Sequence, residues 1–161
     1  MFGEEQEVTE VGAMNLFVLM SSARTGRVEL VTPPLTTGTV LPGVTRQSVL
    51  ELARDIAGLD VEERRLTLPD LLAASREGRL LEMFGCGTAA IISPVGGLRC
   101  GGELISVPTP ALGLARQLLT QLQDIYYGRH KHHWAVDIQE NTRDLAIVQQ
   151  EEKTLSSLSI L

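Results

Sequence analysis

Residues 8–15 read VTEVGAMN, a run that sets one carboxylate, Glu10, inside an otherwise apolar, strand-like segment. From Val11 to Leu19 the residues are β-branched, aromatic and aliphatic with few charges, which predicts a buried strand. A glutamate beside such a strand has two readings. It is an edge residue turned to solvent, or it is a carboxylate held rigidly in a pocket to pair with a cationic ring nitrogen.

The segments that follow predict alternating strands and helices. SARTGR (22–27) is a hairpin turn with Gly26 free to take positive φ, and Val28–Thr32 is the returning strand. PPLTTGTVLPG (33–43) holds three prolines and two glycines and must be irregular. Helical spacing of Val49, Leu50, Leu52, Ala53, Ile56 and Ala57 predicts a helix over Arg46–Ala57, with Gly58 as its C′ residue. Glu63–Leu68 reads as a short strand. Thr67-Leu68-Pro69-Asp70 reads as a capped helix start, that helix ending near Gly78. Leu80–Phe84 is expected to be a strand, Gly85-Cys86-Gly87-Thr88 a tight glycine turn, and Ala89–Ile92 extended. Residues 96–108 predict a hairpin. Thr109–Tyr127 predicts the longest helix, with Leu112, Leu114, Ala115, Leu118, Leu119, Leu122 and Ile125 on its inner face and Gly128 stopping it. The fold class expected is α+β.

Composition narrows the function classes. The 161 residues are 43% hydrophobic, enough for one core domain. The net charge is −6, and no basic cluster occurs in the first 128 residues, which argues against nucleic acid and anionic membranes as main partners. No apolar run reaches membrane-span length, and MFGEEQE is not a signal peptide. Two cysteines, Cys86 and Cys100, make no disulfide framework and fit a reducing, intracellular compartment. After Gly128 the chain turns polar. Residues 137–161 read as a mobile tail with one marginal helix near 141–153, and 1–136 as the structured part. HKHH (130–133) has no carboxylate or cysteine at ligand spacing and is read as solvent-exposed rather than as a metal site.

Two further stretches can carry chemistry. In LPGVTRQS (41–48) a glycine stands just before a helix start, so the backbone N–H groups of the first turn form a potential anion site, phosphate above all; the alternative is a plain loop-to-helix turn. In FGCGTAA (84–90) two glycines around one residue let the backbone approach a ligand closely, with Thr88 adding a hydroxyl and an N–H; the alternative is an ordinary turn.

The motifs TEVGAMN (9–15), ELVTPPL (29–35), LPGVTRQSVLELA (41–53), ERRLTL (63–68) and EMFGCGTAA (82–90) occur in this order. The set resembles the branched-chain amino acid aminotransferases, class IV enzymes that use pyridoxal phosphate, over about residues 2–136. The resemblance implies most of the large C-terminal domain of the class IV fold. It implies amino transfer between leucine, isoleucine or valine and 2-oxoglutarate, with branched-chain amino acids and their 2-oxo acids as ligands and a homodimer as the complete assembly. By the same resemblance, Glu10 pairs with the pyridine nitrogen. Gly43, Val44 and Thr45 hold the cofactor phosphate, Leu41 lies against the ring, and Thr88 adds a phosphate contact. Gly87, Thr88 and Ala89 receive the substrate carboxylate, and Ala13 and Met14 border the substrate.

The sequence departs from the family pattern. Ala13 stands where a threonine is usual, and Ala90 and Ser93 replace a redox-active cysteine pair of some animal members. The family's catalytic lysine, which binds the cofactor covalently and moves the proton, lies upstream of TEVG. The two lysines here, Lys131 and Lys153, fall outside every motif. The expectation is therefore a piece of the family protein that lacks the lysine and the small N-terminal domain. It is inactive alone, with an unpaired sheet edge and uncovered apolar surface that leave it marginal or self-associating. Any transit peptide would lie upstream, so cytoplasm and mitochondrion both fit. Two alternatives stand beside this: a non-catalytic protein that binds pyridoxal phosphate or pairs with an intact subunit, and another class IV enzyme such as a D-amino acid aminotransferase or an aminodeoxychorismate lyase.

Overall fold

In the computed structural model, which describes residues 6–100 and 102–136, the expected first strand is two strands. β1 (Glu10–Val11) turns back through Gly12 and Ala13 into β2 (Met14–Ser21), pairing Glu10 with Asn15 and Val11 with Met14. Gly12 takes φ +62°, the conformation a two-residue hairpin loop needs at its first position. The apolar run conceals this reversal, because both arms of the hairpin are strand-like.

β2 lies at the centre of the main sheet, whose order is β4-β3-β2-β5-β6 with β1 beside β2. β3 (Val28–Thr32) returns antiparallel through the SARTGR hairpin, where the Ser22 N–H donates to the Arg27 carbonyl and Gly26 has φ +69°. β4 (Asp60–Glu63) runs parallel to β3, and α1 (Val44–Arg54) forms the crossover between them. β5 (Leu80–Gly87) pairs antiparallel with β2 and with β6 (Ile91–Pro94). A separate hairpin joins β7 (Gly97–Cys100) and β8 (Glu103–Ser106), as the sequence suggests.

Both faces of the sheet are covered, so β2 reads as a continuous apolar run rather than an alternating one. On one face Leu16, Val18, Met20, Val31 and Met83 form a buried cluster with Leu71 and Ala74 of α2 (Leu68–Arg76) and with Ile105 of β8. On the other face Phe17 and Phe84 stack with centroids 5.3 Å apart and planes 8° from parallel, both fully buried. Such a pair contributes roughly 1 kcal/mol beyond its area burial. α1 packs against β4 and β5 and buries Val49, Leu50 and Ala53.

Helix ends follow local chemistry where a side chain sets them. Thr67 and Asp70 form the reciprocal capping box of α2, and Gly78 ends it at φ +68°. Other boundaries differ from expectation. α1 starts two residues before Arg46, at Val44, and stops at Arg54, so Ile56 and Ala57 lie in the following turns. β4 covers Asp60–Glu63 and not Glu63–Leu68, because the parallel register with β3 places it directly after the Gly58 turn. Gly85-Cys86-Gly87 is not a turn but the end of β5, paired with β2 on one side and β6 on the other; the turn is Thr88–Ala90. α3 (Leu114–Tyr126) begins five residues after Thr109, since 107–113 is irregular, and Leu112 is exposed rather than on its inner face.

The chain divides into two compact units after Asp124. The second unit opens with the end of α3, which Gly128 terminates at φ +67°, and includes a ring contact between His132 and Trp134 with centroids 4.1 Å apart. Residues 137–161, with the helix anticipated near 141–153, lie outside the described residues.

Candidate functional site

The β1–β2 hairpin puts Glu10 and Asn15 directly across from one another, and therefore on the same face of the sheet. Both reach the irregular segment before α1. The Leu41 N–H donates to Glu10 Oε1 at 3.0 Å, and Asn15 Nδ2 donates to the Leu41 carbonyl at 2.8 Å. The Leu41 peptide groups are thus gripped from both sides. Two residues on, a Cβ at Gly43 would stand 2.4 Å from Asn15 Oδ1, so only glycine allows the backbone this close.

Gly43 is the N-cap of α1 and offers no side-chain cap. The first-turn amides, Val44 and Thr45 among them, therefore have no intrahelical acceptor, and the helix end carries a partial positive charge. Val44 is strongly exposed and Thr45 half-buried. Beneath them Arg46 is buried, donating through Nη2 to the Pro33 carbonyl at 3.0 Å and to Glu63 Oε2 at 2.8 Å. The Arg46 hydrogen bond holds the Glu63 carboxyl below its ordinary range; partial burial opposes this, and the Arg46 and Arg54 charges reinforce it.

Across the sheet, Cys86 pairs with Asn15 and is fully buried. Burial pushes its thiol up to about 12, against a smaller opposing pull from the Arg46 charge. Gly87 and Thr88 complete the wall. Glu10, Ala13, Leu41, Gly43, Val44, Thr45, Gly87 and Thr88, all singled out from the sequence, line one cleft together with Asn15 and Cys86. Met14 and Ala89 are not among its lining residues. Met14 sits on the opposite face from Asn15, against Gly85 and Gly87: a Cβ on Gly85 would come 2.9 Å from Met14 Cε, and one on Gly87 would come 3.3 Å from Met14 Cγ. Its place beside the substrate rests on the resemblance alone. Ala89 is exposed in the turn. Asn15 carries no local sequence signal, because its importance depends on the hairpin register, which the continuous apolar pattern hides.

A sequence pattern for the family described as amino-transferase class IV matches residues 1–97 of this chain. The chain belongs to the class IV aminotransferases. Within that family it is 47% identical over 139 residues to the branched-chain-amino-acid aminotransferase of Monosiga brevicollis, covering 84% of this chain and 35% of that protein. It is 43% identical to the cytosolic branched-chain-amino-acid aminotransferase of Rattus norvegicus, covering 86% of this chain and 34% of the rat protein. The chain thus spans about a third of the length of the curated relatives it matches. Among solved structures, the pyridoxal-phosphate form of the Thermobaculum terrenum branched-chain amino acid aminotransferase superposes with a TM-score of 0.59 at 30% identity, over 81% of this chain and 37% of that one. The 4-amino-4-deoxychorismate lyase of Pseudomonas aeruginosa superposes with a TM-score of 0.57 at 27% identity. The α+β fold is that of the class IV aminotransferases. No helix among the described residues is long and apolar enough to cross a membrane.

Proposed function

We propose that this chain supplies the ring-nitrogen and phosphate side of a pyridoxal-phosphate site in a branched-chain amino acid aminotransferase. The complete enzyme would move an amino group between leucine, isoleucine or valine and 2-oxoglutarate. The observation that carries this is the Glu10–Leu41–Gly43 arrangement: a strand-borne carboxylate linked through one residue, Leu41, to an uncapped helix N-terminus. The residues fit the group. A carboxylate suits a protonated ring nitrogen, and a helix start with no side-chain cap, whose Val44 and Thr45 N–H groups have no intrahelical acceptor, suits a phosphate. When bound, pyridoxal phosphate supplies an electron-withdrawing ring that stabilises negative charge at the amino acid Cα.

Each residue then has a defined task. Glu10 keeps the ring nitrogen protonated. The Val44 and Thr45 N–H groups of the Gly43–Thr45 turn would hold the phosphate, with Thr88 beside them, while the Gly43 N–H donates to the Leu41 carbonyl at 2.8 Å. Leu41, exposed in this chain, offers its side chain to one face of the ring. By the family resemblance, Gly87 and Thr88 at the cleft wall and Ala89 in the turn outside its lining would receive the substrate carboxylate. Ala13, at the hairpin turn, borders the substrate without the hydroxyl usual in the family. No lysine lines the cleft among the described residues, so proton movement at Cα has no side-chain carrier here. The described residues therefore make a binding half-site, and the complete enzyme would be a homodimer.

The test is calorimetric titration of the purified chain with pyridoxal phosphate, alongside an assay of glutamate formation from leucine and 2-oxoglutarate. The expected outcome is saturable binding that E10Q weakens, with no glutamate formed above the rate of free pyridoxal phosphate. Robust turnover by the chain alone, or absence of any saturable binding, contradicts the proposal. A second reading, favoured by a cleft that no lysine lines among the described residues, is a non-catalytic chain that pairs with an intact subunit. Co-purification with a full-length homologue would favour it.

A further inference from the structure

Leu41 occupies an unusual place. It lies in an irregular segment, and the residue is 69% exposed, so side-chain packing does not hold it. Its backbone is held instead by Glu10 and Asn15, which face each other across the β1–β2 hairpin, and by the Gly43 N–H, which donates to the Leu41 carbonyl at 2.8 Å. Glu10 accepts its N–H at 3.0 Å, and Asn15 donates to its carbonyl at 2.8 Å. The same Asn15 presents Oδ1 to Gly43, the cap of α1, at a distance that leaves no room for a Cβ. Asn15 is 5% exposed and sits on the central strand β2, paired with Glu10 of β1 and with Cys86 of β5.

We propose that Asn15 is a positioning residue that locks the Leu41 peptide, and so fixes how far the Glu10 carboxylate stands from the first turn of α1. The idea rests on the proposed pyridoxal-phosphate reading for its functional meaning, and on the two hydrogen bonds for its geometry. A rigid aromatic ligand with a basic nitrogen at one end and a phosphate at the other gains from both ends only when the two receptors are correctly spaced. Asparagine is suited to the task because one planar group carries a donor for the Leu41 carbonyl and an oxygen that can lie against Gly43. Aspartate of the same size would face the Leu41 carbonyl with a second oxygen. Alanine would leave that carbonyl without its side-chain donor.

The experiment uses the whole 161-residue chain, with N15A and N15D as variants; N15D preserves side-chain volume should N15A fail to fold. Amide hydrogen exchange is followed at Leu41 and, as controls, at Val18 in β2 and Leu50 in α1. Dissociation constants are measured for pyridoxal phosphate and for pyridoxal. The expected result is exchange at Leu41 faster by about tenfold in either variant with Val18 and Leu50 unchanged. The preference for the phosphorylated ligand should fall by about tenfold, since the two ends no longer match. The proposal is overturned if Leu41 exchange is unchanged, if all three amides accelerate together as in general destabilisation, or if both ligands weaken by the same factor. If the unaltered chain binds neither ligand, the pyridoxal-phosphate reading fails, while Leu41 exchange still decides whether Asn15 is the lock.

Discussion

Glu82 caps helix α3 at Leu114: its carboxylate accepts the Leu114 N–H at 2.8 Å and the Ala115 N–H at 2.9 Å. The residue is 3% exposed on β5, and its charge faces the positive end of the helix. A Cβ on Gly113 would come within 2.6 Å of Glu82 Oε2, so the chain approaches closely there as well. E82Q replaces one of the two acceptors with a donor and is expected to cost about 2 kcal/mol of stability. Urea denaturation measures it, and a loss below about 0.5 kcal/mol would show that the helix start is held by other contacts.

The Arg46–Glu63 pair makes stability depend on pH. The Glu63 carboxyl is held below its ordinary range in the folded chain, chiefly by the Arg46 hydrogen bond. Its contribution is therefore present above the ordinary carboxylate pKa and is lost as pH falls through the lower folded value. E63Q should flatten that part of the stability profile. It should also destabilise the chain near neutral pH by roughly 1–2 kcal/mol: Arg46 stays buried facing a neutral partner, while the Pro33 carbonyl and the partial exposure of Glu63 keep the cost below that of a fully buried pair. Denaturation midpoints at a series of pH values check both effects, and an unchanged acid slope in E63Q would contradict the assignment.

Cys86 should be chemically inert in the folded chain. Burial raises its thiol to about 12, so almost no thiolate exists near neutral pH, and the side chain is inaccessible. In a C100S background, labelling by a thiol-reactive disulfide at pH 8 should be slower than in denaturant by about a hundredfold or more. Rapid native labelling would mean that β5 opens readily beside the cleft.

G43A tests the close approach at the helix start. Its Cβ would meet Asn15 Oδ1 at 2.4 Å, so either Asn15 or the first turn of α1 must move. The expected cost is about 1–3 kcal/mol of stability, with weaker pyridoxal-phosphate binding. Unchanged stability would show that the segment relaxes freely.

Local features were legible in the sequence and long-range ones were not. The Thr67–Asp70 capping box, the SARTGR hairpin and the closing glycines Gly78 and Gly128 depend on neighbours a few residues away, and each lies where the sequence puts it. Gly85 and Gly87 misled because glycine signals either a turn or a close approach. Here they give Val11 and Met14 room to lie over β5. The hairpin at Gly12 was masked because its arms continue one apolar pattern. Asn15, Arg46 and Glu82 find their partners 26, 17 and 32 residues away, beyond the reach of spacing or periodicity. The cleft residues were legible through motif order, which the resemblance interprets and helical or strand periodicity does not.

The most direct test of the central claim is a map of backbone amide shifts on adding pyridoxal phosphate to the isotopically labelled chain, repeated with E10Q. The account predicts the largest shifts at Val44, Thr45 and Thr88, with a change at Leu41 that E10Q abolishes. Shifts concentrated away from the Glu10–Leu41–Gly43 cleft, or a pattern indifferent to E10Q, would contradict it.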